Sequence, residues 1–430
     1  MINMCVDLFK NKEIRNRIFF TLAVLFVYRL GAAIVVPMVD NTKVMAAITD
    51  DSLFAMMNTL GGGALEKFSI FSLGVSPYIT ASIIVQLMAM DVIPALTEMA
   101  KSGATGRMQM DKVTRYLAVV LAYVQAFTLT YGFDKSYGLV PGADFAKYLY
   151  IATLLTAGSM FAMWLGDQIT IKGIGNGISM LIFTGIVANL PAQFMQTFQT
   201  MVDTSNSQSL FSGVLSFGAY VLVYVLIMIL VIFMETAVRK IPIQYTSSSV
   251  KRSGQDMTFL PLKINSAGVI PVIFASSIMM APITVMSFMK QTETTAAIAN
   301  FLSFNKPTGL CIYILLIIFC TFFYSNLQVD PEKIAENLNK SGVYIPGVRP
   351  GKETEEYVRK ILNRITVLGC AFLVFIAALP HVLTMFTTLP SSISVGGTGM
   401  IIVVGVGLET MRQLKGQLTT RSYRGFVDRR

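Results

Sequence analysis

Apolar runs of roughly 20 residues recur along the whole chain, and charge is largely confined to the segments between them. A run of that length is what a helix needs to cross the hydrocarbon core of a bilayer. A helix also satisfies its own backbone polar groups where no water can. The runs lie near 18–37, 74–92, 116–133, 148–166, 178–198, 213–234, 267–289, 309–327, 365–386 and 393–410. The expected fold is therefore all-α: a polytopic membrane protein with ten transmembrane helices. Only 13% of the residues are charged, about half the share usual in a soluble domain. The first run is long and lacks a small-residue cleavage site after it, so it is expected to be a retained span.

A formal net charge of +10 could suggest nucleic acid, but the placement of the charge argues for topology. With the N-terminus inside, most of the 34 lysines and arginines fall in inner segments, among them Arg15, Arg107, Arg239, Lys240, Lys251, Arg252, Arg349, Lys352 and Arg412. The outer segments keep Lys43, Lys67, Lys135, Lys147, Lys290 and Lys306, and Arg29 lies within the first span. Such a bias fixes both termini in the cytoplasm, and no sequence-specific nucleic acid is needed to explain it. Cys5, Cys311, Cys320 and Cys370 have no metal-ligand spacing and read as free thiols.

Ten spans divide into two sets of five joined by the polar stretch Met201–Ser212. Because five is odd, the second set is inverted relative to the first, and inverted repeats often place a pathway at their interface. The expected domains are 1–200, an external linker at 201–212, 213–411, and a cytoplasmic tail at 412–430. Two inner loops are large and polar, Glu235–Ser266 and Gln328–Arg364. In the first, Ile241–Tyr245 and Phe259–Ile264 could pair as a hairpin. The second starts with Asp330-Pro331-Glu332, a helix start signal, and continues through the turn-rich Ser341–Gly351. Basic loops of this length are expected to dock a partner.

Enzyme motifs fail in turn. Gly61 to Phe68 lacks the second glycine and the Ser or Thr of a phosphate loop, and Gly173–Ile178 lacks the third glycine of a dinucleotide fingerprint. His381 is the only histidine, so no histidine-rich zinc site can form; it reads as an interfacial polar residue. No catalytic residue, metal or cofactor is expected. A gradient-driven carrier would need ionisable groups at mid-membrane. Arg29 is the one clear case, and Asp167, Glu235 and Glu409 sit near inner span ends.

One stretch fits neither span nor ordinary loop. Residues 61–81 are too polar and broken to cross a bilayer, yet too apolar for a loop, and they run straight into a span. Broken backbone at membrane depth survives only when protein buries it or it lines a water-filled cavity. Beside it, Val75 and Ile79 share a helical face, as do Ile178 and Ile182. Ile270 and Ile273 flank Pro271, and Ile402 follows a glycine cluster. Aliphatic rings can seal a channel by dewetting, although spacing alone makes these packing residues.

The chain resembles the SecY family, the central subunits of the bacterial protein-conducting channel. The likeness runs from Tyr28-Arg29-Leu30-Gly31 and Val36-Pro37 to Ser422–Phe426. Its most specific blocks are Gly62–Leu65 with Ser69–Phe71, Pro77–Ile84, Gly173–Ser179, Leu260–Asn265, Ala267–Pro271, Phe274–Ile278 and Tyr344–Gly351. The resemblance implies two inverted five-helix halves around a central pore closed by a plug helix. It assigns to the plug Asn58, Gly62, Gly63, Ala64, Leu65, Glu66, Lys67, Phe68, Ser69 and Ile70. To a hydrophobic pore ring it assigns Val75, Ile79, Ile178, Ile182, Ile273 and Ile402, against the packing reading. Ser82, Ile83, Gln86, Ile270, Ser276 and Ser277 fall on a lateral gate towards membrane lipid. Arg239, Lys240, Lys251, Arg252, Arg349 and Lys352 fall in loops that dock the SecA ATPase or the ribosome. The implied companions are SecE and SecG, and the implied substrates are preproteins bearing a signal sequence. The implied location is the bacterial cytoplasmic membrane.

Departures from the family pattern are small: Val75 where isoleucine is common, and Ser76 where methionine is common. Both suggest a seal slightly easier to open. The rivals are an accessory member of the same family with few substrates, an inverted-repeat carrier and a poreless scaffold. The carrier lacks its acids, and the scaffold would need no plug.

Overall fold

A computed structural model describes residues 11–40, 44, 58, 61–89, 92–142, 144–202, 207–245, 258–288, 297–298, 301–303, 306–386 and 395–427. In chain order the helices are α1 (Lys12–Ala33), α2 (Ser76–Met88), α3 (Pro94–Lys101), α4 (Gly103–Tyr137), α5 (Phe145–Lys172), α6 (Gly177–Met201), α7 (Ser207–Thr236), α8 (Ile270–Phe288), α9 (Pro307–Gln328), α10 (Pro331–Lys340), α11 (Lys352–Phe386) and α12 (Val395–Val427). The strands are β1 (Val238–Tyr245), β2 (Thr258–Lys263) and β3 (Val343–Tyr344). Seven described helices are long and apolar enough to cross a membrane: α1, α4, α5, α6, α7, α9 and α11. The other three expected spans coincide with α2, α8 and α12. With 13 residues, α2 is only about 20 Å long.

Several boundaries differ from expectation, each for a local reason. The first span ends at Ala33, not 37, because the β-branched run Ile34-Val35-Val36 meets Pro37, which disfavours a helical residue before it. The ninth begins at Lys352, not 365. Val358, Leu362 and Ile365, three to four residues apart, give its first turns an apolar face, and Glu353 and Glu355 suit its N-terminus. The tenth continues through the expected tail to Val427, with no proline to stop it.

The chain forms two compact units. The first comprises Met1–Leu210, Met280–Ala299 and Leu389–Arg430. Inside it, α4 and α5 are tied by the Arg115–Asp167 ion pair at 2.9 Å. The glycine-rich turn between α5 and α6 is pinned by side chains. The Ile174 N–H donates to Thr21 Oγ1 at 3.1 Å, and Asn176 caps α6 by accepting from the N–H groups of Ile178 and Ser179. Ile174 packs with Ile14 of α1 and Leu414 of α12.

The second unit comprises Phe211–Met279 and Asn300–Thr388. The expected hairpin is present: β1 pairs antiparallel with β2, with Ile243 opposite Thr258 and Val238 opposite Lys263. The sheet order is β2-β1-β3. β3 covers only Gln244 and Tyr245 of β1. Pro242, which lacks a donor, therefore falls where β1 has one described neighbour. Asp330 caps α10 as the sequence suggests, accepting from the Glu332 and Lys333 N–H groups. Ile241, Leu262, Val343, Ile345, Val358, Leu362 and Ile365 form this lobe's core. His381 is buried, edge-on to the Tyr313 ring. Cys320 and Cys370 are buried and Cys311 is exposed, all as free thiols; Cys5 lies outside the described residues.

Candidate functional site

The broken stretch after α1 fills a slot inside the first unit. Leaving α1, the chain runs extended through Ile34–Val36 and pairs with Phe68–Ile70. The Val36 N–H donates to the Phe68 carbonyl at 3.1 Å, and the Ile70 N–H to the Ile34 carbonyl at 3.0 Å. Val35 and Ser69 face each other between these bonds. The resemblance implies a plug helix here. Asn58 is helical, but Gly61–Leu73 forms successive turns, and 45–57 and 59–60 lie outside the described residues. Glycine explains the turns. Gly62 and Gly63 have φ of 72° and 78°, a region open chiefly to glycine. Phe68 takes φ 43° without that freedom. Its ring is fully buried, edge-on to Phe133, with Leu65 and Leu73 in the core of α4 and α5.

The polar residues of the stretch serve the turns themselves. Asn58 Oδ1 accepts the Glu66 N–H at 2.9 Å, and Asn58 Nδ2 donates to Glu66 Oε2 at 3.3 Å. Ser69 Oγ accepts the Phe71 N–H, and the Ser72 hydroxyl donates to the Ser69 carbonyl at 2.6 Å. Lys67 is exposed, and Ile70 half-buried.

Four helices grip the segment. Phe71 stacks between Tyr28 and Phe161, with centroids 5.3 Å and 6.1 Å away. A side chain at Gly31 would run into the Phe71 ring, and one at Gly158 into the Ile70 carbonyl. From α5 the Ser159 hydroxyl donates to the Gly74 carbonyl at 2.8 Å. A Cβ on Gly62 would lie 2.6 Å from the Gly185 Cα of α6, and one on Gly63 2.8 Å from Asn189 Oδ1. Arg29 Nη1 donates to the Gly62 carbonyl at 2.6 Å. Sequence reading singled out Arg29 without its partner, and missed Ser159, Gly185 and Asn189. A weak signal existed in Gly158-Ser159, a small pair within a span.

Val75 follows directly, buried, as the N-cap of α2, and the Ile79 N–H bonds back to its carbonyl at 3.1 Å. Ile178 touches Gly166 of α5, and Ile182 is buried on the next turn of α6. Ile402 is buried on α12, one turn beyond Gly399, which packs on Ile186 of α6. These five belong to the first unit. Ile273 belongs to the second, half-buried, its carbonyl accepting the Ser276 and Ser277 hydroxyls at 2.8 Å. Of the residues that the resemblance assigns to a gate, Ile83 is buried, Ser82 accepts from Gln86 at 3.1 Å, and Ile270 is exposed.

The second unit carries the basic loop residues. Arg239 and Lys240 are exposed on β1, opposite Leu262 and Pro261. Arg349 and Lys352 are exposed where the turn enters α11. Arg349 pairs with Glu353 at 3.8 Å, and its carbonyl accepts the Thr354 hydroxyl at 2.9 Å. Lys251 and Arg252 lie outside the described residues.

A family-wide sequence profile, SecY, matches residues 69–411. The protein translocase subunit SecY of Bacillus subtilis (strain 168) is 46% identical over 419 residues, covering 96% of this chain and 97% of that one. Two solved structures are alike in fold. One, described as "The structure of a protein conducting channel", has a TM-score of 0.69 at 19% identity and covers 93% of this chain and 91% of its own. The other has a TM-score of 0.67 at 19% identity with the same coverages. It is described as showing that the plug domain of SecY stabilises the closed state of the translocation channel and maintains a membrane seal.

Proposed function

The chain belongs to the SecY family, a multi-pass, protein-conducting channel subunit and not an enzyme, and from that premise we propose which of its residues close, open and dock the channel. Residues 58–73, turn-rich from Gly61 onward, are the plug, lying on the outer side of the bacterial cytoplasmic membrane with both termini inside. Val75, Ile79, Ile178, Ile182, Ile273 and Ile402 form the ring around a passing polypeptide. Their side chains offer no hydrogen bonds, so chains of many sequences slide through while ion leak stays small. Ser82, Ile83 and Gln86 of α2, with Ile270, Ser276 and Ser277 of α8, line the gate towards lipid. A signal sequence opens that gate by binding the open state more tightly than the closed one. The chain divides functionally into 1–200 and 213–411, joined by 201–212 and clamped by SecE, with SecG beside them.

The observation that carries the reading is the packing of Gly61–Leu73 among four helices, with Leu65, Phe68, Phe71 and Leu73 buried, directly ahead of the sealing residue Val75. The exposed Arg239, Lys240, Arg349 and Lys352 support a docking face for SecA or the ribosome, and the sequence between β1 and β2 adds Lys251 and Arg252. The test is reconstitution with SecE and SecA. ATP-dependent uptake of a signal-bearing preprotein into vesicles is expected, and Arg349→Glu should reduce it several-fold. Equal uptake with Arg349→Glu removes that residue from docking.

A further inference from the structure

The plug segment is attached in two ways. Ala64–Leu73 is held by packing and backbone pairing: Leu65, Phe68 and Leu73 are buried in the α4–α5 core, Phe71 is stacked on Tyr28, and Phe68–Ile70 pairs with Ile34–Val36. Moving it would strip large apolar side chains from their sites. The turn Gly61–Gly63 has no side chain to bury. It lies backbone-on-backbone against Gly185, and its one side-chain hydrogen bond to α1 is the 2.6 Å bond from Arg29 to the Gly62 carbonyl.

We propose that Arg29 is the latch of the plug: its guanidinium holds the Gly62 carbonyl in the closed channel, and breaking that bond frees the Gly61–Gly63 turn while Ala64–Leu73 stays in place as a fixed base. This rests on the plug reading of the segment. A charged donor makes the bond strong, yet the acceptor is a neutral carbonyl, so release strands no counter-ion and water can replace either partner. Tyr28 and Arg29 are consecutive on α1 and point about 100° apart. One helix end therefore grips the base with one side chain and the tip with the next.

Resting ion conductance of the full chain in planar bilayers tests the latch. Arg29→Gln should raise the leak several-fold, and Arg29→Lys, which keeps the charge, should return most of it to the parent level. A parent-like leak in Arg29→Gln, or no recovery in Arg29→Lys, overturns the latch. Deleting Gly61–Gly63 should also raise the leak; a deletion that leaves it unchanged overturns the plug reading itself and is distinct from failure of the latch. The fixed base is tested by a Val35→Cys, Ser69→Cys pair. The flanking backbone bonds make these a non-hydrogen-bonded antiparallel pair, with Cα atoms typically about 4.5 Å apart, within disulfide range. With the disulfide formed, the Arg29→Gln leak should persist. A disulfide that closes the leak, with recovery on reduction, shows that the base moves and overturns the proposed division.

Discussion

Ser159 shows how much a single buried hydroxyl holds here. It is the side-chain partner of the Gly74 carbonyl, where the turns of Gly61–Leu73 run into α2. In Ser159→Ala that buried carbonyl loses its partner, at a cost of about 1–3 kcal/mol. A lower unfolding temperature and a raised resting conductance are expected together; a fall in stability with no change in leak would separate the junction from the seal. At the next residues, Val75 is buried and Ser76 exposed. The double change Val75→Ile, Ser76→Met should lower the resting leak, because a larger apolar side chain fills more of the seal, and an unchanged leak would sink that account. Arg29 stood out in the sequence as a charge inside a span. Its partner is a backbone carbonyl 33 positions on, which no side-chain pattern announces. Glu66 and Ser69, which the family likeness assigns to the plug, both bond within the turns.

At the scale of elements, hydrophobic runs located the helices, and local chemistry set their ends. Pro37 stops α1 early, and the glycine cluster turns the segment that opens at Gly61. Gly62→Ala combines a positive φ with a Cβ 2.6 Å from Gly185 Cα, while Gly103→Ala has a similar φ of 74° and nothing within 4 Å. Both pay backbone strain above about 1 kcal/mol, so the difference between them isolates the close approach. Gly62→Ala is expected to destabilise more and to leak; equal effects would mean that α6 yields freely. In the other unit, the first turns of α11 pack on the sheet before the same helix becomes a span. Leu362 is fully buried there, and Leu362→Ala should cost about 2–5 kcal/mol. Hydrogen exchange is expected to quicken in β1, β2 and α10 and to stay unchanged at Ala64–Leu73. Matching acceleration in both places would mean that the lobe and the plug are coupled.

For the whole molecule, the proposed docking face predicts a dependence on long-range charge. Arg239, Lys240, Arg349 and Lys352 are exposed, and exposed charges are screened beyond about 10 Å at 0.1 M salt. Binding of SecA to reconstituted channels should therefore weaken as salt rises, and Arg239→Glu should flatten that dependence; an identical salt curve would place the contact elsewhere. The sequence by itself determined the class of this protein. Span-length apolar runs recur along the chain, and a backbone that crosses lipid in such runs satisfies its polar groups as a helix. It also determined the hairpin and the Asp330 cap, which are local. Only the tertiary structure decided what the broken stretch at 61–81 rests on. The Arg29–Gly62 bond, the Ser159–Gly74 bond and the Gly62–Gly185 approach join residues up to 123 positions apart. Such pairings depend on which helix faces fold together, and neither periodicity nor composition carries that information.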